Sequence, residues 1–175
     1  MKRRVVKIGG SLFEIRELGK KLRVWLNENN SMQNIVVVGG GGLADVIRRL
    51  ERTQHFDSQQ SHELACRSLS LTAKLMAYSI DEAHFCCEFK TLHESKTPIV
   101  IFDSSSWILD QPNVPQSWDF TSDSIAARLA TALDAEELVL FKSRMGSIDE
   151  PGFVDACFAE ESKSVKSVRV CTLTA

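Results

Sequence analysis

Three short segments carry the residue types that phosphate or carboxylate chemistry needs. The first is Lys7-x-Gly9-Gly10-Ser11. Glycines at the end of an apolar run let backbone N–H groups approach an anion closely. A lysine two residues ahead adds a point charge to the same group. The alternative is a strand ending in a glycine turn beside a solvated lysine, and the residues alone weigh the two about equally. The second segment is Gly39-Gly40-Gly41-Gly42, followed by an amphipathic pattern. Bare backbone at a helix start suits phosphate or carboxylate. The third is Ser117-Trp118-Asp119-Phe120-Thr121-Ser122-Asp123-Ser124. Thr121 or Ser122 caps the helix that follows, with Asp123 in its first turn at the positive end of the dipole. Asp119 and Asp123 together are more acid than a cap requires. Two carboxylates near a phosphate-binding turn can orient lysines or hold magnesium.

Other chemistries find less support. Residues 39–44 match GxGxxA, a dinucleotide fingerprint. That fingerprint needs an acidic residue about 20 positions on, at a second strand, and glycines after the first strand. Here the glycines follow the second strand, and residues 53–60 read as a polar loop. No GxxxxGK[ST] occurs. His84, Cys86, Cys87 and His93 are metal-ligand types, but their spacing fits no zinc pattern. Ser104 to Ser106 lack the flanking glycines of a nucleophile elbow. His62 reads as a surface residue near a helix start, with a substrate contact as the alternative. Arg48, Arg49 and Arg52 read as a solvated helix face.

The elements that must position these segments alternate. Val5 to Ile8 is a strand. Leu18, Leu22, Trp25 and Leu26 have helical spacing, ended by Asn29-Asn30-Ser31. Ile35 to Val38 is uniformly apolar, as in a strand covered on both faces. Leu43, Val46, Ile47 and Leu50 mark a second helix, and Leu64, Leu69, Leu71, Leu75 and Met76 a longer one over 61–80. Further strands are expected at 83–89, 98–102, 138–141 and 168–171. A loop with Pro112 and Pro115 precedes a helix marked by Ile125, Leu129 and Leu133. Alternating strands and helices predict an α/β fold with a largely parallel sheet and helices on both faces. Such sheets bind ligands at their carboxyl edge, where both glycine turns fall.

The chain has 175 residues, enough for one domain at about 100–200 residues each. Lys and Arg total 21 against 23 for Asp and Glu, a formal charge of −2 with no basic block, which argues against nucleic acid as a partner. Composition that is 43% hydrophobic and 25% charged is globular. The five cysteines form no CxxC pair, which argues for a reducing cytoplasm rather than a disulfide framework. Charge follows the short apolar run at the start, so no signal peptide is expected. No apolar stretch approaches the ~20 residues of a membrane span.

VVKIGGSL at 5–12, VVVGGGGLAD at 36–45 and SWDFTSDSIAARLATAL at 117–133 occur in one order. LVLFKS at 138–143 and MGSIDEP at 145–151 follow. This ordered set resembles the amino acid kinase superfamily over nearly the whole chain. The resemblance implies a three-layer αβα sandwich of the carbamate kinase-like type, a single domain over 1–175. It also implies ATP with Mg²⁺ and a small-molecule acceptor. SWDFTSDSIAA and Val154-Asp155 are similar to the short branch that phosphorylates an aminomethylfuran methanol phosphate in methanofuran-type cofactor biosynthesis.

Residue by residue, the resemblance implies that Lys7 neutralises the transferring phosphoryl group and that Asp123 orients catalytic lysines. Gly9, Gly10 and Ser11 would cradle ATP phosphates, with Lys142 and Gly146 in the nucleotide site. Gly39, Gly40 and Gly41 would line the acceptor site, joined by Asp119, Thr121 and His62. Asp155 is a candidate partner for an acceptor's aminomethyl cation. No protein metal ligand is expected, and a homodimer or higher homo-oligomer fits the family. The sequence departs from the family in an acidic turn replaced by Arg144-Met145-Gly146, and in a shortened nucleotide part after residue 151. The second phosphate-binding lysine is then Lys142, Lys163 or Lys166. An inactive anion-binding protein on the same fold, or an acetylglutamate- or glutamate-type carboxylate kinase, are the alternatives.

Overall fold

The computed structural model describes residues 1–173. The chain runs β1 (Arg3–Ile8), a 3-10 turn (Gly10–Glu14), α1 (Leu18–Glu28), β2 (Gln33–Val38), α2 (Gly41–Gln54) and α3 (Ser58–Ser79). It continues with β3 (His84–Cys86), α4 (Phe89–Glu94), β4 (Ile99–Phe102) and α5 (Ser105–Leu109). It ends with α6 (Ser122–Ala132), β5 (Glu137–Phe141), α7 (Phe158–Glu161) and β6 (Val168–Cys171). The six strands form one sheet in the order β3-β4-β2-β1-β5-β6, and every neighbouring pair is parallel.

Parallel strands need crossovers, and the helices supply them on both faces. Val5, Ile35, Val100 and Leu138 pack in one layer with Leu129 of α6. Val6, Val36, Ile101 and Val139 pack in the other with Leu22 and Leu26 of α1. Adjacent residues of one strand thus serve opposite layers, which explains the unbroken apolar runs. The strand order builds outward from β1 through β2 to β4 and β3, then returns to place β5 on the other side of β1. That reversal puts a crevice at the carboxyl end of β1, where Gly9 and Gly10 lie.

Several expectations change. The polar stretch 53–60 is not a loop, since helices enter it from both sides and only residues 55–57 connect them. His55 ends α2 in the left-handed region at φ 56°, and Asp57 opens α3 with a reciprocal capping box. The Gln60 N–H donates to Asp57 Oδ1 at 2.8 Å, and the Asp57 N–H donates to Gln60 Oε1 at 3.0 Å. The expected strand at 83–89 stops at Cys86 because Phe89 opens α4 and stacks on Trp107, ring centroids 5.6 Å apart. Two short helices, α5 and α7, lack a periodic signal long enough to read. The apolar stripe of α2 does predict a helix, yet it faces no core: no α2 residue is buried, and Leu43, Val46 and Leu50 are about 40% exposed. On α3, Leu69 and Met76 are buried while Leu64, Leu71 and Leu75 are exposed. Among the described residues, no helix is long and apolar enough to cross a membrane.

Candidate active site

The alternation of the sheet decides where its lysines point. In β1, Val5 packs toward α6 while Val6 and Ile8 pack toward α1, so Lys7 falls on the α6 face. Lys7 is level with Leu140 of β5, which also packs toward α6. Lys142 stands two residues beyond Leu140 and falls on the same face. Its N–H donates to Cys171 O at 2.9 Å, continuing the ladder past the end of β5. Both ammonium groups meet Asp123 in the first turn of α6. Lys7 Nζ is 2.6 Å from Oδ1, and Lys142 Nζ is 2.7 Å from Oδ2. Lys142 Nζ also donates to Phe153 O at 2.8 Å. The Lys7 contact is an ion pair rather than a well-angled hydrogen bond, so Oδ1 takes no hydrogen bond among the described residues.

Lys7 and Asp123 are only 3% and 5% exposed. Burial alone would push the Asp123 carboxyl up, but the two ammonium groups outweigh it and hold it below its ordinary value. Burial, then repulsion from Lys7, lowers Lys142 below its ordinary value, against the pull of Asp123. Two cations share the Asp123 carboxylate, and Asp155 adds a further negative charge that acts on Lys142. Lys142 lines the cavity, where its ammonium can meet an anion.

The glycine turns meet beside this triad, backbone to backbone. A Cβ on Gly10 would stand 2.2 Å from Gly41 N, and one on Gly39 would stand 2.8 Å from Ser122 Oγ. Gly41 adopts φ +55°, where side chains are strained. The turns are pinned to the sheet by Gly9 N–H donating to Phe141 O at 3.0 Å and Gly39 N–H donating to Ile8 O at 2.9 Å. Those two amides are therefore engaged and position the turns. The amides of Gly10 and Gly40 have no acceptor among the described residues, and the first amides of α2 are open as at any helix start.

A cavity of about 700 Å³ opens over the turns. Of the residues singled out from sequence, Gly10, Ser11, Gly39, Gly40, Gly41, His62, Thr121, Asp123, Lys142 and Asp155 line it. Lys7 and Gly9 are not in the wall, though Lys7 pairs with Asp123, which is. Asp119 is exposed and outside the wall; its carbonyl accepts from Cys157 N–H at 3.0 Å. Gly146 is also outside, but it supports the wall, because a Cβ there would meet the Phe153 ring at 2.5 Å. Lys163 and Lys166 pair with surface carboxylates, which leaves Lys142 as the lysine of the three that reaches the site.

Two expectations are corrected, one cap and one surface residue. Thr121 is the N-cap of α6 by backbone position, but its side chain makes no capping bond. Asp155 caps the helix instead. Asp155 Oδ2 accepts from Thr121 N–H (3.0 Å), Thr121 Oγ1 (2.7 Å) and Ser124 N–H (3.1 Å), while Ser124 Oγ donates to Oδ1. His62 is not a surface residue: it is 9% exposed, Nε2 lies 3.5 Å from Cys66 Sγ, and burial lowers its pKa. Burial also pushes the Cys66 thiol up to about 12, so it is no nucleophile at neutral pH. Ser61 Oγ, also in the wall, is buried with no hydrogen-bond partner among the described residues.

Sequence reasoning missed a cluster in the cavity wall. The Trp118 indole N–H donates to Glu51 Oε2 at 2.6 Å, and the Arg48 guanidinium lies 4.3 Å from the indole centroid. Arg48 is therefore not simply part of a solvated face. Helical spacing did carry a signal, since Ala44, Arg48 and Glu51 share the face of α2 that lines the cavity.

Residues 2–146 match the Amino acid kinase family. A [5-(aminomethyl)furan-3-yl]methyl phosphate kinase from Methanocaldococcus jannaschii is 29% identical over 173 residues, covering 94% of this chain and 78% of the relative. The uridylate kinase of Archaeoglobus fulgidus superposes with a TM-score of 0.72 at 20% identity, covering 98% of this chain and 92% of that one. Synechocystis aspartate kinase superposes with a TM-score of 0.68 at 14% identity, covering 96% of this chain and 37% of that one. The glycine turns and the buried lysine–aspartate–lysine triad thus sit on a fold shared with these kinases, and the chain, a phosphotransferase, belongs to the amino acid kinase family.

Proposed function

We propose that this kinase transfers the γ-phosphoryl group of ATP to a small phosphomonoester, best matched by an aminomethylfuran methanol phosphate. The observation that carries the reading is the Lys7–Asp123–Lys142 triad beneath open glycine amides. Phosphoryl transfer needs positioning and charge neutralisation rather than a covalent nucleophile. An oxygen of the acceptor phosphate attacks the γ-phosphorus. The bond from that phosphorus to the β–γ bridging oxygen breaks, and ADP leaves with the electron pair. A phosphomonoester has its second pKa near ~6, so it is mostly dianionic at neutral pH and needs no strong base. In this role Lys7 and Lys142 balance the charge that spreads over the transferring group, and Asp123 fixes both lysines. The amides of Gly10 and Ser11 serve the ATP phosphates, and those of Gly40 and Gly41 serve the acceptor. Ser61 Oγ is a buried polar atom that a bound ligand would satisfy.

Among the described residues, no group of three or more His, Cys, Asp and Glu side chains is arranged to hold a metal. The Asp123 carboxylate is already shared by two lysines. Magnesium entering with the nucleotide would supply neutralising charge beside Lys7 and Lys142.

Transfer from Mg·ATP to a panel tests the reading: the aminomethylfuran phosphate, acetylglutamate, glutamate, UMP and isopentenyl phosphate. Transfer to the furan phosphate is expected. Transfer to acetylglutamate and to no phosphate ester would replace it with the carboxylate-kinase reading. ATP binding with no transfer to any acceptor would favour an inactive binding protein.

A homo-oligomer is part of the same reading. An amphipathic helix whose apolar stripe is exposed over Leu43, Val46 and Leu50 is the kind of surface a second copy covers. Light scattering on the purified chain should give twice the monomer mass or more, and Leu50→Glu should shift it to the monomer. A monomeric wild type would rule the contact out.

A further inference from the structure

We infer that Glu51, held in place by Trp118, is the specificity element for the acceptor, and that it takes a protonated amine carried on a small flat ring. The inference rests on the phosphomonoester reading above and names what that acceptor bears at its far end.

Four carboxylates line the cavity: Asp45, Glu51, Asp123 and Asp155. Three are committed. Asp123 is shared by Lys7 and Lys142. Asp155, the sequence's candidate for an ammonium partner, accepts four hydrogen bonds from the first turn of α6. Oδ2 takes three of these bonds and Oδ1 one, so the start of α6 holds both oxygens. Asp45 pairs with Arg48 at 3.4 Å and its side chain is 71% exposed, so water screens it. Glu51 differs. Oε2 accepts the Trp118 indole N–H at 2.6 Å, and Oε1 has no partner among the described residues. One oxygen fixes the carboxylate while the other remains available to a ligand.

Distance supports the assignment. Gly41, at the phosphate-binding turn, and Glu51 lie ten residues apart on α2. That is about 15 Å of helix at ~1.5 Å per residue. Helical side chains lean back toward the N-terminus, so the Glu51 carboxylate lies closer to the turn than its Cα. With a hydrogen bond of ~3 Å at each end, the remaining gap is roughly 6–8 Å, the span of a five-membered ring with a one-carbon arm on each side. Trp118 gives the cavity an aromatic wall beside Glu51. Arg48, stacked on the indole at 4.3 Å, braces it from α2.

The test measures kcat and KM for two acceptors: the aminomethylfuran methanol phosphate and its analogue with hydrogen in place of the amine. Wild type should prefer the amine-bearing acceptor in kcat/KM by about 10- to 100-fold, the worth of a charge-assisted hydrogen bond. Glu51→Gln still accepts the indole N–H, and it should collapse that preference to within about threefold, chiefly through KM. Glu51→Asp keeps the charge and should retain part of the preference, which protects the test if the Gln variant folds poorly. Equal losses on both acceptors would mark Glu51 as merely structural and overturn the inference. A wild type that turns over both acceptors equally well would overturn it while leaving the phosphomonoester reading intact. A wild type that uses neither would end both.

Discussion

Lys7→Ala is expected to lower phosphoryl transfer about 10³-fold, with KM for ATP changed far less. One preorganised donor at a developing oxyanion is worth about 10²–10³ in kcat, and a full cation at a transferring phosphoryl group can be worth more. Lys7 is 3% exposed and touches Asp123 at 2.6 Å, so it cannot be replaced by a mobile surface lysine. The truncation also has a structural effect. Removing one partner of a buried ion pair ordinarily costs about 3–5 kcal/mol. Here Lys142 remains on Asp123 Oδ2, and the repulsion between the two ammonium groups is relieved. The melting temperature should therefore fall by only a few degrees. Lys7→Met fills the volume of the stem and should match the alanine variant in activity while melting higher. Steady-state transfer and thermal denaturation on the two variants check this. Unchanged activity in a folded Lys7→Met protein would remove Lys7 from the site.

The lysines show why part of this site was legible in the sequence. A lysine two residues before a glycine pair, at the end of a buried strand, has its side chain fixed by the period of 2. The same arithmetic on Leu138, Leu140 and Lys142 sends Lys142 to the same face once β5 is known to lie beside β1. The pairing itself was not legible, because strand order depends on crossovers that local pattern does not encode. Asp155 illustrates the limit. It lies over 30 residues from Thr121 and Ser124 in the chain, and nothing in the spacing says that it replaces the Thr121 side chain as the cap. The Glu51–Trp118 bond spans 67 residues and was invisible for the same reason. The α2 stripe shows the converse: periodicity identifies a helix but not what its apolar face meets.

Asp123→Asn should be the most damaging conservative substitution in the chain, and its effect should depend on pH in a definite direction. The amide keeps the shape of the carboxylate but leaves the buried Lys7 and the half-buried Lys142 without their shared counter-charge. Loss of several kcal/mol is expected at neutral pH, about the 3–5 kcal/mol of a broken buried pair. Transfer should fall at least 10²-fold, because both lysines lose the group that fixes them. The folded carboxyl is held below its ordinary value, so between the two values the unfolded chain binds more protons than the folded one, and stability rises with pH there. The contribution of Asp123 is therefore complete above the unfolded value of about 3.9 and is lost as pH falls through the lower, folded value. The difference in unfolding free energy between wild type and Asp123→Asn should be constant from about pH 5 to 8 and should shrink below about pH 4. Lys142 adds a second trend. Its folded value is lowered, so stability rises as pH climbs toward the ordinary lysine range, and rises more in the variant, where Asp123 no longer opposes the shift. Urea unfolding of both proteins across pH 3–10 measures both trends. A difference that stays constant down to pH 3 would mean that the carboxylate does not carry the charge balance of the triad. Asp123 would then act through the start of α6 alone, and the lysines would need another counter-charge.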